Sequence, residues 1–183
     1  MKLTISVLVL FALTCTALNA QTTPTLIHPS STFDDSQGYI TINELTAGIG
    51  LSAVNAPYAH KYFGFTTIHG YQTSQRVIIA LGTGVLFYDG GKLLPLFADF
   101  RYMFLNNTRL APYLIGDGGV LLKISGEATN SKLFINPGAG IRYDLSSNFA
   151  ANFGIGLFVQ KDNNMRSSFI NFRLGVTLKP VRK

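Results

Sequence analysis

The stretch Ser168-Phe169-Ile170-Asn171-Phe172-Arg173-Leu174-Gly175-Val176-Thr177-Leu178 decides the fold. Successive side chains of an extended chain point to opposite sides. Ile170, Phe172, Leu174, Val176 and Leu178 therefore share one face, and Asn171, Arg173, Gly175 and Thr177 the other. The first face is bulky and unbroken, while the second, after Phe169, is polar or bare. A strand that separates lipid from a narrow polar lumen needs this combination.

The same alternation recurs back along the chain. It predicts strands over Tyr39–Leu51, Tyr62–Gln72, Val77–Tyr88, Leu94–Phe104, Leu110–Leu122, Leu133–Tyr143 and Phe149–Gln160. With the last strand the count is eight. Asp89-Gly90-Gly91 and Asn106-Asn107-Thr108 are turns, Lys123 to Lys132 reads as a polar loop, and Asp144 to Asn148 as a short turn. Placing Asp117 inward turns Gly116 and Gly118 toward lipid, a register that a bulge would ease. Pro137 within a strand predicts a local irregularity, because it has no N–H to donate. Consecutive strands with short links make an all-β, eight-stranded up-and-down antiparallel transmembrane β-barrel, closed because lipid cannot solvate an open edge.

A soluble secreted barrel holding an apolar ligand would use the same strands with their faces reversed. The faces opposite the apolar ones argue against it. They repeat Gly-x-Gly at Gly48/Gly50, Gly82/Gly84, Gly138/Gly140 and Gly154/Gly156, where a water-facing surface would carry Thr, Lys, Glu or Gln. Glycine in a strand marks close approach, and the lumen of an eight-stranded barrel is narrow.

Composition agrees. Charged residues are 13% of the chain, against about 25% in soluble domains, and after the first twenty residues no apolar run reaches the roughly 18 residues of a membrane helix. Met1 to Ala20 reads as an export signal: Lys2 forms the positive start, Ile5 to Leu13 the apolar stretch and Leu18-Asn19-Ala20 the cleavage site. Lipidation at Cys15, the only cysteine, is the weaker alternative, since Thr14 is an unusual neighbour for that processing. Residues 21–37 form an irregular lead-in with Pro24, Pro29 and Asp34-Asp35, and 38–183 form the barrel. The net charge of +6 is not read as a nucleic-acid signal, because export takes the chain away from nucleic acid.

The outward faces carry no charge, so Glu44, Asp99, Arg101, Asp117, Arg142 and Arg173 are expected in the lumen, with Asn136, Asn152 and Asn171 beside them. The expectation is a lumen plugged by ion pairs and amides, with Glu44 and Arg173 as partners across the β-seam that closes the barrel. Lys61, Lys92, Lys123, Lys132 and Lys161 fall at the outer loops, where they could meet phosphates of lipopolysaccharide; solubilising charge is the plainer reading. Tyr39, Tyr71, Tyr102 and Tyr143 gather near the opposite strand ends, as an interfacial girdle would.

No metal-ligand spacing, phosphate loop or nucleophile elbow is present, so no cofactor, metal or catalytic residue is expected. The one constellation that could imitate a lipid A-modifying hydrolase is His60 with Asp89 and Ser52 or Ser125, and its spacing is unconstrained.

Leu94-Pro95-Leu96-Phe97-Ala98-Asp99-Phe100-Arg101-Tyr102, Asn136-Pro137-Gly138-Ala139-Gly140-Ile141 and Asn171-Phe172-Arg173-Leu174-Gly175-Val176 resemble the outer-membrane β-barrel domain family of Gram-negative bacteria, including PorT-like and OmpA-like small barrels. The resemblance implies a fold and an outer-membrane location rather than an activity. With it comes the expectation of a monomeric, non-enzymatic barrel, structural or accessory to an envelope protein complex, with outer-membrane lipids as its surroundings. The chain departs from such families at its end, where Lys179-Pro180-Val181-Arg182-Lys183 stand in place of a terminal aromatic residue.

Overall fold

The computed structural model describes residues 33–51, 60–104, 109–126, 131–161 and 166–180. The expected export signal, residues 21–32 of the lead-in, Ser52 and the Asn106-Asn107-Thr108 turn lie outside them. Eight strands follow one another: β1 (Gly38–Gly50), β2 (Lys61–Gln72), β3 (Val77–Tyr88), β4 (Gly91–Met103), β5 (Leu110–Gly126), β6 (Lys132–Ser146), β7 (Phe149–Lys161) and β8 (Arg166–Leu178). Each pairs antiparallel with the next, and β1 pairs with β8, from Thr41 opposite Leu178 to Gly50 opposite Phe169, to close the barrel. No helix of the described residues is long and apolar enough to cross a membrane. The crossing is made by strands. Strands of 12 residues or more rise about 40 Å, enough at a tilt of ~45° to span the ~25 Å apolar band of such barrels.

Alternation fixes which face is which. On β8, Phe169, Asn171, Arg173, Gly175 and Thr177 are buried, while Leu174 is 61% exposed. Around the barrel Leu81 is 71%, Leu133 64% and Ile49 61% exposed. A soluble barrel would hide these side chains and show the glutamates and arginines. Here the apolar side chains form the outer belt, which makes this a transmembrane barrel.

The structure departs from the expected boundaries most clearly on β5 and β6, and β4 starts early, at Gly91. β5 continues through Lys123, Ile124 and Ser125 to Gly126, so the strand takes in the first four residues of the expected polar loop. The expected bulge is not at Gly116–Gly118, which pair regularly with Phe100 and Ala98. It lies nearer the strand end, where Lys92 faces Ser125 and Leu93 faces Lys123, leaving Ile124 extra. β6 runs past Tyr143 to Ser146, with a register shift at Asp144/Ser146 that takes up the tight Ser147-Asn148 turn. Pro137 interrupts pairing as its missing N–H requires: the β6–β7 ladder has no partners at Asn136 and Pro137, yet resumes in the same register at Gly138 opposite Gly156.

An arginine on the outer face should be costly. Leu174→Arg is expected to lower folding stability in lipid vesicles by about 2–4 kcal/mol, read by urea titration, and no loss would mean that this face does not meet hydrocarbon.

Candidate functional site

Chemistry-bearing side chains converge in the lumen, near the middles of the strands. Arg101 on β4 reaches Glu44 on β1, Nη2 to Oε1 at 2.9 Å, and clamps Asp99 on its own strand with Nε at 3.0 Å from Oδ1 and Nη2 at 3.0 Å from Oδ2. Arg173 on β8 donates to Asp117 Oδ2 on β5 and stands 3.7 Å from Glu44 Oε2. Asn136 on β6 donates to the same Asp117 oxygen at 3.4 Å. All six side chains are buried. The guanidinium of Arg101 also lies 5.6 Å from the centre of the Tyr113 ring, a cation–π contact that shields the charge on its apolar side.

Six of the eight residues expected in the lumen network thus come together: Glu44, Asp99, Arg101, Asp117, Asn136 and Arg173. The expected Glu44–Arg173 pair forms across the β1–β8 seam at 3.7 Å, and each partner also has a closer one: Arg101 for Glu44, and Asp117 across the lumen for Arg173. The other two lie elsewhere. Asn152 donates to Thr177 Oγ1 at 2.7 Å. Arg142 sits at the barrel end where β1 begins and β8 ends, bound to Asp144 at 2.8 Å and Asp35 at 3.0 Å. Asn171 accepts a hydrogen bond from Thr46 at 2.5 Å.

That end is closed by a segment that the lead-in reading left without a role. Phe33 is buried under the Arg142 guanidinium, 4.5 Å from its ring centre, and its N–H donates to Asp144 Oδ2 at 3.3 Å. Gln72 donates to the Asp35 carbonyl at 3.1 Å, and Lys179 to the carbonyls of Asp34, at 2.6 Å, and Ser36. Inward-facing groups of β2 and β6, with Lys179 just past β8, thereby hold residues 33–36 across the mouth. Hydrogen bonds from the Ser36 side chain and backbone, with help from Lys179, keep the Asp34 carboxyl below its ordinary value of 3.8. A depressed carboxyl stabilises the folded state above the ordinary value and loses that contribution as pH falls through the lowered one; for this exposed group the effect is small. No turn or strand pattern announces the segment, and the alternating Arg142-x-Asp144 pair was the only signal that something charged had to be met there.

The far end is filled by rings. Tyr62 packs on Tyr88, Phe158 and Phe169, each at 5.3 Å between centres, and Phe134 bridges Phe158 at 5.0 Å to Phe97 at 5.9 Å. The rings fit because glycines stand opposite them: a Cβ at Gly48 would overlap the Tyr62 ring, 2.6 Å from Cζ. Between rings and ion pairs remains a cavity of about 30 Å³ lined by Asp117, Asn136, Arg173 and Thr46 among others, room for about one water.

Lys61, Lys92, Lys123 and Lys161 are exposed at the far rim, Lys92 lying 5.4 Å over the Phe87 ring. Lys132 is not among them. It is buried, since the two-residue period that turns Phe134 and Asn136 inward turns Lys132 inward too. His60 and Asp89 are exposed at the same end, as is Ser125, and no hydrogen bond joins His60 to either. Among the described residues no group of three His, Cys, Asp or Glu side chains could hold a metal ion.

No family model matches the sequence, and no curated protein does. Solved structures do. Neisserial surface protein A (NspA) superposes with a TM-score of 0.62 at 16% identity, over 78% of this chain and 96% of that one. The outer membrane protein OprG from Pseudomonas aeruginosa superposes with a TM-score of 0.58 at 9% identity, over 82% of this chain and 99% of that one. At these identities the likeness is one of fold.

Removing one arginine leaves a buried carboxylate uncompensated. Arg101→Met is expected to cost about 3–5 kcal/mol in urea titration of the vesicle-folded protein, whereas Asn152→Ala, which breaks one neutral hydrogen bond, should cost about 1 kcal/mol. Gly175→Ala should also destabilise, because its Cβ would lie 2.6 Å from Glu44 Cγ and 2.7 Å from the Asn43 carbonyl oxygen.

Proposed function

We propose that this barrel resides in the bacterial outer membrane without enzymatic activity, in a structural or envelope-complex accessory role, and that its lumen is plugged. The observation that carries the reading is the stack inside it: residues 33–36 over one mouth, ion pairs across the strand middles and packed rings at the far end, beneath a continuous apolar exterior. A conducting pore needs a continuous wet path, and the cavity beside Asp117 and Arg173, of about 30 Å³, has the size of about one water. The fold shared with an outer membrane protein of Pseudomonas aeruginosa supports the location.

In that setting the end where β1 begins and β8 ends faces the periplasm, and the far rim the cell exterior. Lys61, Lys92, Lys123 and Lys161 are then placed to meet lipid phosphates, including those of lipopolysaccharide. The secretion-accessory role implied by the resemblance to PorT-like proteins is one form of the accessory reading. For a lipid A hydrolase built on His60, no hydrogen bond among the described residues joins His60 to Asp89 or Ser125.

Reconstituted in planar bilayers, the wild-type protein is expected to give no steady current, and a stable open level would overturn the plugged lumen. Lipid A from a deletion strain should be unchanged, and loss of a processed species on deletion, reproduced by His60→Ala, would overturn the non-enzymatic reading.

A further inference from the structure

The charges at mid-lumen do not balance. Glu44, Asp99 and Asp117 bring three carboxylates to two guanidiniums, Arg101 and Arg173, all in side chains more than nine-tenths buried. The other buried cations are distant or engaged. Arg142 is held by Asp144 and Asp35, and Lys179 binds carbonyls at the mouth. Lys132 lies four residues, about 13 Å of strand, beyond Asn136 toward the far rim. An uncompensated charge in a dry interior is among the costliest things a fold can hold.

Register puts the surplus in one place. Asp99 and Asp117 are directly opposed on β4 and β5 and both are buried in the lumen, and directly opposed side chains of a sheet stand about 4.5–5.5 Å apart at Cβ. Like charges opposed in a sheet repel, and two carboxylates in contact cannot both stay ionised. Arg101 covers both oxygens of Asp99, at 3.0 and 3.2 Å from Nε. Arg173 takes Oδ2 of Asp117, while its Oδ1 is fully shielded and has no donor. An ionised carboxylate only accepts; a protonated one donates as well.

We infer that Asp99 and Asp117 share one proton, carried on Asp117 Oδ1 and donated to Asp99, so that the lumen is a proton-binding site. One proton removes the surplus charge, converts the orphaned oxygen into a donor and turns a repulsive cross-strand pair into a hydrogen bond. Facing the pair are Glu44 from β1, Tyr62 from β2, Arg101 from β4, Tyr113 from β5, Asn136 from β6 and Arg173 from β8. β3 presents Ala80, opposite Asp99, and Gly82, and β7 presents Gly154 and Gly156, so neither strand adds a charge. The inference rests on the fold and the charge count, independently of the proposed role.

Infrared spectroscopy of the full chain folded in detergent at neutral pH tests it, through the carbonyl stretch of a protonated carboxylic acid and its shift in heavy water. Wild type is expected to show a slowly exchanging acid band, and Asp117→Asn and Asp99→Asn each to lack it. Both variants match two carboxylates with two guanidiniums, and faster gel migration before boiling reports their folding separately. Absence of the band in wild type would overturn the inference, and so would its survival in both variants. A wild-type stability that rises when sodium replaces choline at equal ionic strength, and does not rise in Asp117→Asn, would also overturn it by placing a metal cation at the site.

Discussion

Hydrocarbon offers no partner to a backbone N–H or C=O, so a chain that crosses it with strands must satisfy every such group within the sheet. Closing β1 onto β8 does this, and the rest of the molecule follows from the closure. Eight strands leave an interior just wide enough for side chains to fill. Polar groups that cannot face lipid are forced into that interior, and there they need one another. The ion pairs are the consequence of the barrel rather than its cause, since buried pairs are weak sources of stability in themselves.

Narrowness explains the glycines. Each large inward side chain needs a place where its neighbour has none. Tyr62 lies against Gly48, Phe97 against Gly82, and the Glu44 stem against Gly175. The outward glycines, Gly116 and Gly118, meet no such demand: a Cβ at Gly116 would touch nothing within 4 Å. The same residue type thus has two meanings in one barrel, set by which side of the sheet it occupies.

The two ends are closed by different chemistry for a physical reason. At the far end the strand ends carry aromatic residues that fill the lumen mainly by ring packing, with one hydrogen bond from Tyr88 to Gln160. At the other, Arg142, Asp144, Gln72 and Lys179 point into the mouth and leave donors and acceptors that rings could not satisfy. A backbone segment can, because it brings both N–H and C=O groups, and residues 33–36 supply them. The middle layer has no such freedom. Its groups come from strands whose register is fixed on both sides, which is why the Asp99–Asp117 opposition cannot be relieved by a shift of backbone.

The sequence by itself determined the strands, their faces and the closed architecture, because a two-residue period with one apolar face has one solution in lipid. It also determined that Glu44, Asp99, Arg101, Asp117 and Arg173 point inward, since parity along a strand is a local property. Only the tertiary structure decided which of them meet. Partners across a barrel depend on stagger summed over several strands, so parity alone did not show that Arg101 joins Arg173 at Glu44, or that Arg173 reaches Asp117. Tertiary structure alone also decided that Phe33 covers a mouth and that Asp117 keeps one oxygen without a donor. Those outcomes depend on what arrives from elsewhere in the chain, which no local pattern encodes.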